Sequence, residues 1–250
     1  EPAPTRDHTE RMLKGFGYPV KVDGSTVTIQ AGGRLTATNI DVPSDISSAA
    51  FFMVAASIAP GSDITLEHVG MNPTRVGVVS ILRMMGANIE INDAREVGGE
   101  PVADVRIRSS LLKGIDIPGD QVPLAIDEFP AIFIAAACAQ GTTVLTGAEE
   151  LRVKESDRIQ VMMDGLNSLG VDAKGTNDGA IIQGLGAKGV IGGGEVESHG
   201  DHRIAMSFAV ASLRAGKPIR ILDCANVATS FPGFIDLAQG CGMQVRLEGD

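Results

Sequence analysis

The chain has 250 residues, of which 44% are hydrophobic and 21% are charged, proportions typical of an ordinary globular protein. Its net charge of −10, without a basic run or an aromatic-basic patch, argues against a nucleic-acid partner and against an anionic membrane surface. Three cysteines without a Cys-x-x-Cys pair suggest reduced thiols in the cytoplasm. The longest apolar run, residues 129–139, is too short to span a bilayer. We therefore predict a cytoplasmic globular protein that binds neither nucleic acid nor membrane.

The first predicted elements are short. Charged and apolar residues alternate at helical spacing over Asp7–Phe16, and Gly17 provides a stop. Two strands, Val20–Val22 and Thr26–Ile29, follow on either side of an Asp-Gly-Ser turn. The chain opens at Glu1 without a methionine and enters a helix within a few residues, so we expect it to be a piece of a longer polypeptide.

A longer pattern then occurs three times. A small, Ala-rich helix is followed by a glycine, a strand, a more amphipathic helix, a second glycine and one or two strands. The helices are predicted at Ser47–Ile58, Pro73–Met85, Phe129–Ala139, Asp157–Leu169, Ile204–Leu213 and Ser230–Ala238, and the strands at Asp63–His68, Asn88–Ile91, Val105–Arg108, Thr142–Thr146, Val171–Ala173, Ala180–Gln183, Ile219–Leu222 and Met243–Leu247. The marker glycines recur every 72 to 84 residues or so, too far apart for a solenoid, which predicts three supersecondary units in one domain.

The most charged stretch, residues 149–158, lies between a predicted strand and a predicted helix. Lys154 and Arg158 are four positions apart, so on a helix they would share a face with Glu155 beside them. Two cations directed at one point suit a phosphate or carboxylate, and a carboxylate beside them can transfer protons. The alternative is a solvated, salt-bridged helix start, and the pattern alone does not decide between the two.

Two further clusters precede Ala-rich helices. Asp127 and Glu128 stand at the mouth of an apolar helix, where helix capping is the default interpretation and a general base is the alternative. Residues 198–203, Ser-His-Gly-Asp-His-Arg, could bind an anion through Arg203 or a metal through the histidines. The spacing matches no zinc template, so we favour the anion and predict no metal site.

Five motifs occur in one order along the chain: Thr-Arg-Asp-His-Thr-Glu at 5–10, Asp-Glu-Phe-Pro at 127–130, Arg-Val-Lys-Glu-Ser-Asp-Arg at 152–158, Asp-His-Arg-Ile-Ala-Met-Ser at 201–207 and Thr-Ser-Phe-Pro at 229–232. Together they closely resemble the 5-enolpyruvylshikimate-3-phosphate synthase family of the shikimate pathway. The resemblance implies an α/β (α+β) fold, an inside-out α/β barrel domain of three βαβαββ repeats, with the active site in a cleft between two such domains. Residues 1–42 would be the tail of the first domain and residues 43–250 the second.

The resemblance also implies a reaction and its residues. The enolpyruvyl group of phosphoenolpyruvate would pass to the 5-hydroxyl of shikimate 3-phosphate, with release of phosphate and without a cofactor. Asp127 matches the proton acceptor and Glu155 the proton donor. The residues that match contacts to shikimate 3-phosphate are Asp127, Lys154 and Arg6, and those that match clamps on phosphoenolpyruvate are Arg158 and Arg203. Guanidinium groups suit an anionic cosubstrate because they bind it through paired hydrogen bonds.

Several family motifs are absent from these 250 residues. They are a Lys-Ser…Arg phosphate motif, an Asn-x-Gly-Thr segment with a further Arg, and a Ser-Ser-Gln loop. We therefore expect the missing amino-terminal portion of the same enzyme to be a partner, and the chain to be inactive alone. Two alternatives remain: a non-catalytic binding domain of the same fold, and the related UDP-N-acetylglucosamine enolpyruvyl transferase. The latter uses a reactive cysteine in a loop, for which Cys138, Cys224 and Cys241 offer no convincing equivalent.

Overall fold

The structure, a computed structural model, describes residues 5–249. Its helices are α1 (His8–Gly15), α2 (Ile46–Ile58), α3 (Gly77–Met84), α4 (Phe129–Cys138), α5 (Arg158–Ser168), α6 (His202–Ala211), α7 (Asn226–Ser230) and α8 (Phe234–Gly240). Its strands are β1 (Val20–Asp23), β2 (Thr26–Ile29), β3 (Asp63–Gly70), β4 (Asn88–Val97), β5 (Glu100–Arg108), β6 (Gln140–Leu145), β7 (Asp172–Gly175), β8 (Ala180–Leu185), β9 (Gly194–Glu197) and β10 (Ile219–Leu222). No helix among these is long and apolar enough to cross a membrane.

The centre of the structure is formed by α2, α4 and α6, which pack against one another. Every residue of α4 is buried, and only Ser48 of α2 is not. Neither helix contains a charged residue, so both can be enclosed by apolar neighbours without an unpaired charge. The first two Ala-rich helices are therefore enclosed almost completely by the rest of the chain.

Three sheets surround these helices. One has the antiparallel order β3-β5-β4, the second has the antiparallel order β6-β8-β7, and the third pairs β9 with β10 in parallel. Isolated parallel bridges before α2 and α4 supply the leading strand of the first two units: Ser44 pairs with Val69, Lys113 with Gln140, and Asp116 with Val144. The first two units therefore follow the order βαβαββ, with helices inside and sheets outside, as the resemblance implies.

Three sequence predictions are wrong in detail. The helix expected at Ser230–Ala238 is divided into α7 and α8, because Phe231, before Pro232, has the non-helical angles φ −145° and ψ 75°. The strand expected at Met243–Leu247 does not form, and β9 was not predicted at all. In addition, α3 begins at Gly77 rather than at Pro73, after a turn in which Asn72 Oδ1 accepts hydrogen bonds from the N–H and the hydroxyl of Thr74.

Close contacts hold the outer helices on the central ones. Gly165 of α5 lies against the ring of Phe208 in α6, where an added Cβ would come within 2.2 Å of the ring. Phe234 of α8 packs on Phe51 and Phe52 of α2, with ring centroids 6.3 and 5.8 Å away. These contacts hold α5 against α6 and α8 against α2.

Residues 5–42 differ from the rest of the described chain because none of them is buried. They form α1 and the antiparallel hairpin of β1 and β2, and they leave Val22, Val27 and Ile29 exposed. Asn72 anchors α1 to the repeats, since its amide donates to Asp7 at 2.7 Å. The predicted domain division between residues 42 and 43 stays a prediction, and residues 1–4 and 250 lie outside the described part.

Candidate active site

The amino-terminal ends of α4, α5 and α6 meet at one place, and they bring the predicted site residues together. Asp127 precedes α4, Lys154 and Glu155 precede α5, and Arg203 is in the first turn of α6. Because helix amino termini carry a partial positive charge and unpaired N–H groups, this convergence suits anions. Arg6 reaches the same place from the segment before α1.

Asp127 is surrounded by cations. Its carboxylate forms an ion pair with Arg6, and lies 3.3 Å from Lys154 Nζ and 3.5 Å from Arg158 Nη1. Burial raises its pKa, but the charges of Arg203, Lys154 and Arg6 outweigh that effect and lower the pKa to about 2. The default interpretation as a helix cap is wrong, because Glu128 occupies the cap position of α4 and no side chain in the described part of the chain caps this helix.

Arg158 is the buried centre of the cluster, with only 1% of its side chain exposed. Its Nε donates to Asp201 at 2.8 Å and its Nη2 to Glu155 at 2.5 Å, while its Nη1 has no hydrogen-bond partner among residues 5–249. Asp201 is completely buried; although burial raises its pKa, the hydrogen bond from Arg158 helps to hold the pKa below its usual value. Glu155, by contrast, has 53% of its side chain exposed.

Lys154 reaches Asp127 from outside a helix. Residues 149–153 form a 3₁₀ turn, Lys154 is extended, and α5 begins only at Arg158. Lys154 also forms an ion pair with Glu150. The expectation that Lys154 and Arg158 share a helix face is therefore wrong, although both side chains reach Asp127.

Arg6 is held by an unusual backbone conformation. Its φ is +53°, in the left-handed region that non-glycine residues rarely adopt. Its N–H donates to Thr74 Oγ1 at 3.1 Å, and that hydroxyl donates to Asn72 Oδ1 at 2.7 Å. The turn before α3 therefore holds Arg6 where its guanidinium reaches Asp127.

Arg203 lies behind Asp127. Its Nη1 donates to the Asp127 carbonyl at 3.2 Å and is 3.9 Å from Glu128. Its backbone N–H donates to Asp201 at 2.9 Å, so Asp201 caps α6 while pairing with Arg158. Asp201 opens the Asp-His-Arg-Ile-Ala-Met-Ser motif at 201–207, but nothing in that pattern indicates this double role.

The remaining polar groups near the site were not predicted. Ser47, Arg75 and Glu128 form one network behind Arg203. Only Glu128 had a sequence signal, its place beside Asp127. Across residues 5–249, no three His, Cys, Asp or Glu side chains are grouped so that they could hold a metal ion.

Comparison with known proteins agrees with this architecture. The family model for EPSP synthase (3-phosphoshikimate 1-carboxyvinyltransferase) matches residues 1–237. The 3-phosphoshikimate 1-carboxyvinyltransferase of Methylococcus capsulatus is 68% identical over 247 residues, which are 99% of this chain and 56% of that protein. The enzyme of the same name from Nitrosococcus oceani is 68% identical over 246 residues, which are 98% of this chain and 54% of that protein.

Solved structures give the same result. An EPSP synthase structure from Acinetobacter baumannii superposes with a TM-score of 0.97 and 59% identity, covering 100% of this chain and 57% of that chain. The chain thus spans about half the length of the relatives that it matches. The resemblance inferred from the five motifs and the implied fold are confirmed. This chain belongs to the EPSP synthase family.

Proposed function

We propose that this chain supplies the proton-transfer groups and part of the anion site for enolpyruvyl transfer from phosphoenolpyruvate to the 5-hydroxyl of shikimate 3-phosphate, a step towards chorismate and the aromatic amino acids. The observation that carries the proposal is the cation cluster around Asp127, with Glu155 linked to it through Arg158. No cofactor is needed, because the chemistry requires only two proton transfers and charge stabilisation.

The reaction assigns a separate role to each carboxyl group. Asp127 takes the proton of the 5-hydroxyl while the oxygen of that hydroxyl attacks C2 of phosphoenolpyruvate. Glu155 gives a proton to the methylene carbon, which forms a tetrahedral intermediate. The Glu155 carboxylate then takes a proton back from the new methyl group while phosphate departs, which restores the double bond.

Substrate binding would adjust the strength of Asp127 as a base. With a pKa near 2, its carboxylate is a weak proton acceptor in the unliganded site. A phosphate anion that attracts Lys154 and Arg6 removes part of the positive charge from Asp127. The pKa of Asp127 then rises, and its carboxylate becomes a stronger base.

The two arginines assigned to phosphoenolpyruvate differ in access. Arg203 has 17% of its side chain exposed and borders a small pocket of about 50 Å³ together with Ser47 and His202. Arg158 has only 1% exposed and donates to protein carboxylates. We therefore assign first contact with phosphoenolpyruvate to Arg203, and contact with Arg158 to a state in which Glu155 has left Nη2.

The remaining groups would come from the part of the enzyme that this chain does not span. We assign residues 1–42 to the end of the first domain and residues 43–250 to the second domain. The hairpin of β1 and β2 is consistent with this assignment, because no described residues bury its apolar side chains. We also assign the enzyme to the cytoplasm and expect no turnover from this chain alone.

The test compares Glu155→Gln with Glu149→Gln in the full-length enzyme. Glu149 lies in the 3₁₀ turn just before Glu155, is exposed and makes no ion pair within the described chain, so its variant is the matched control. Phosphate release from phosphoenolpyruvate plus shikimate 3-phosphate should fall at least about 100-fold in Glu155→Gln. The control should remain within about twofold of wild type, and both should unfold at the wild-type urea midpoint.

Two outcomes would contradict the proposal. Full activity of Glu155→Gln would favour a non-catalytic binding domain of the same fold, and a normal kcat for this chain alone would remove the need for a second domain. The UDP-N-acetylglucosamine enolpyruvyl transferase alternative would require inhibition by a thiol-directed reagent. The buried Cys138 is a poor candidate for such a thiol, because burial raises its pKa to about 12.

A further inference from the structure

We propose that Glu128 is a positioning residue that holds the Arg203 guanidinium in place beside Asp127. This inference deepens the proposed function, since Arg203 is the accessible arginine assigned to phosphoenolpyruvate. Glu128 stands next to the proposed base in the chain, but none of the roles above uses it.

The burial of Glu128 excludes direct contact with a substrate in this arrangement. Only 1% of its side chain is exposed, and its carboxylate does not cap α4. A buried carboxylate is costly unless other groups neutralise it, so its partners explain its position. Burial raises the pKa of Glu128, and Ser47 and Arg75 oppose that shift.

Three separate elements meet at this carboxylate. Ser47, in the first turn of α2, donates to Glu128 Oε1 at 2.5 Å. Arg75, before α3, donates to the same Ser47 hydroxyl at 2.6 Å and lies 3.6 Å from Glu128. Arg203, in α6, approaches Glu128 Oε1 to 3.9 Å. Glu128 therefore links the ends of all three central helices.

Arg203 depends on this link more than the other site cations do. Within the described chain, its guanidinium makes one hydrogen bond, to the Asp127 carbonyl at 3.2 Å, and one ion pair, with Glu128. Lys154, by comparison, is held by both Glu150 and Asp127. Loss of the Glu128 charge should loosen Arg203 and weaken binding of an anionic ligand at the pocket that Arg203 borders.

A direct proton-transfer role is the competing interpretation. The geometry disfavours it, because Oε1 is occupied by the Ser47 hydroxyl and the side chain is shielded from solvent. The two interpretations predict different kinetics. Loss of a positioning residue raises KM for the ligand that it helps to bind, whereas loss of a base removes one limb of the pH profile.

The test uses the full-length enzyme with Glu128→Gln, which keeps the shape of the side chain and removes its charge. KM for phosphoenolpyruvate should rise about tenfold, the size expected for residues coupled in one ion-pair network. KM for shikimate 3-phosphate should change less than about twofold, and the pH profile of kcat should keep both limbs. Glu128→Asp should recover part of the affinity for phosphoenolpyruvate. Ser47→Ala, which keeps the charge of Glu128, should raise KM for phosphoenolpyruvate by only about threefold. Ser47→Ala also carries the test if Glu128→Gln does not fold.

A second readout separates this inference from the proposed function. Phosphoenolpyruvate should raise the unfolding temperature of the wild-type enzyme more than that of Glu128→Gln at the same concentration. If phosphoenolpyruvate stabilises the wild-type enzyme more than Glu128→Gln but the wild-type enzyme releases no phosphate, the proposed function is wrong and the positioning role of Glu128 is still supported. If KM and thermal stabilisation are unchanged in Glu128→Gln, or if its pH profile loses a limb, the positioning role is refuted.

Discussion

Replacement of Asp127 by Asn should destabilise the chain in a pH-dependent way. The pKa of Asp127 is about 2 in the folded state and 3.8 in the reference state. Each pKa unit corresponds to about 1.4 kcal/mol, so the paired carboxylate contributes about 2 kcal/mol to the free energy of unfolding at neutral pH. Because the folded pKa is lowered, this contribution is full above about pH 5 and decreases as the pH falls towards 2.

Urea denaturation of the chain at pH 7, 5 and 3 provides the assay. The difference between wild type and Asp127→Asn should be about 2 kcal/mol at pH 7 and pH 5, and about half of that at pH 3. Asp172→Asn is the matched control, because Asp172 is exposed on β7 and has no ion-pair partner in the described chain. A difference that stays constant with pH, or a more stable Asp127→Asn at pH 7, would refute the electrostatic reasoning.

Three further outcomes are expected. Arg158→Met should lower the free energy of unfolding by about 3–5 kcal/mol, because it leaves Asp201 buried without its cation. Adding Asp201→Asn to this variant should restore part of the lost stability, and strictly additive losses would argue against an Arg158–Asp201 ion pair. Gly165→Ala should cost about 1–3 kcal/mol in urea denaturation through overpacking, while Gly240→Ala, in open space on α8, should cost nothing. Iodoacetamide at pH 8 should label the exposed Cys241 but not the folded Cys138, as mass spectrometry would show; labelling of both would contradict the burial of Cys138.

The repeat architecture was predictable because its signals are local. The absence of charge from the Ala-rich segments indicates burial on all sides, and the marker glycines end helices and strands at regular intervals. The missed features depend on neighbours instead. β9 starts in the Gly-rich run 192–194 and forms only because β10 pairs with it. Residues 243–247 have a strand-like composition, but no strand within residues 5–249 pairs with them.

The candidate site could be predicted only in part for the same reason. Asp127 has the local features of a helix cap, and Arg6, 121 positions away in sequence, is part of what makes it an ion-pair centre instead. Ser47 and Glu128 are 81 positions apart, and nothing near Ser47 or Arg75 in the sequence marks them as parts of the network. The motifs contain the charged residues of the Asp127 cluster, whereas the supporting groups become visible only when the helices are packed.

The charges of the unliganded site decide how an anionic substrate can enter. Arg6, Lys154 and Arg158 are already paired with protein carboxylates, so an anionic ligand reaches any of these three cations only by displacing a carboxylate from it. Asp201 cannot leave, since it is completely buried and also caps α6. Glu155 can move away from Arg158, because half of its side chain faces solvent and its pair with Arg158 is its one ion pair within the described chain. An anionic ligand that displaces Glu155 would then reach Arg158 Nη2.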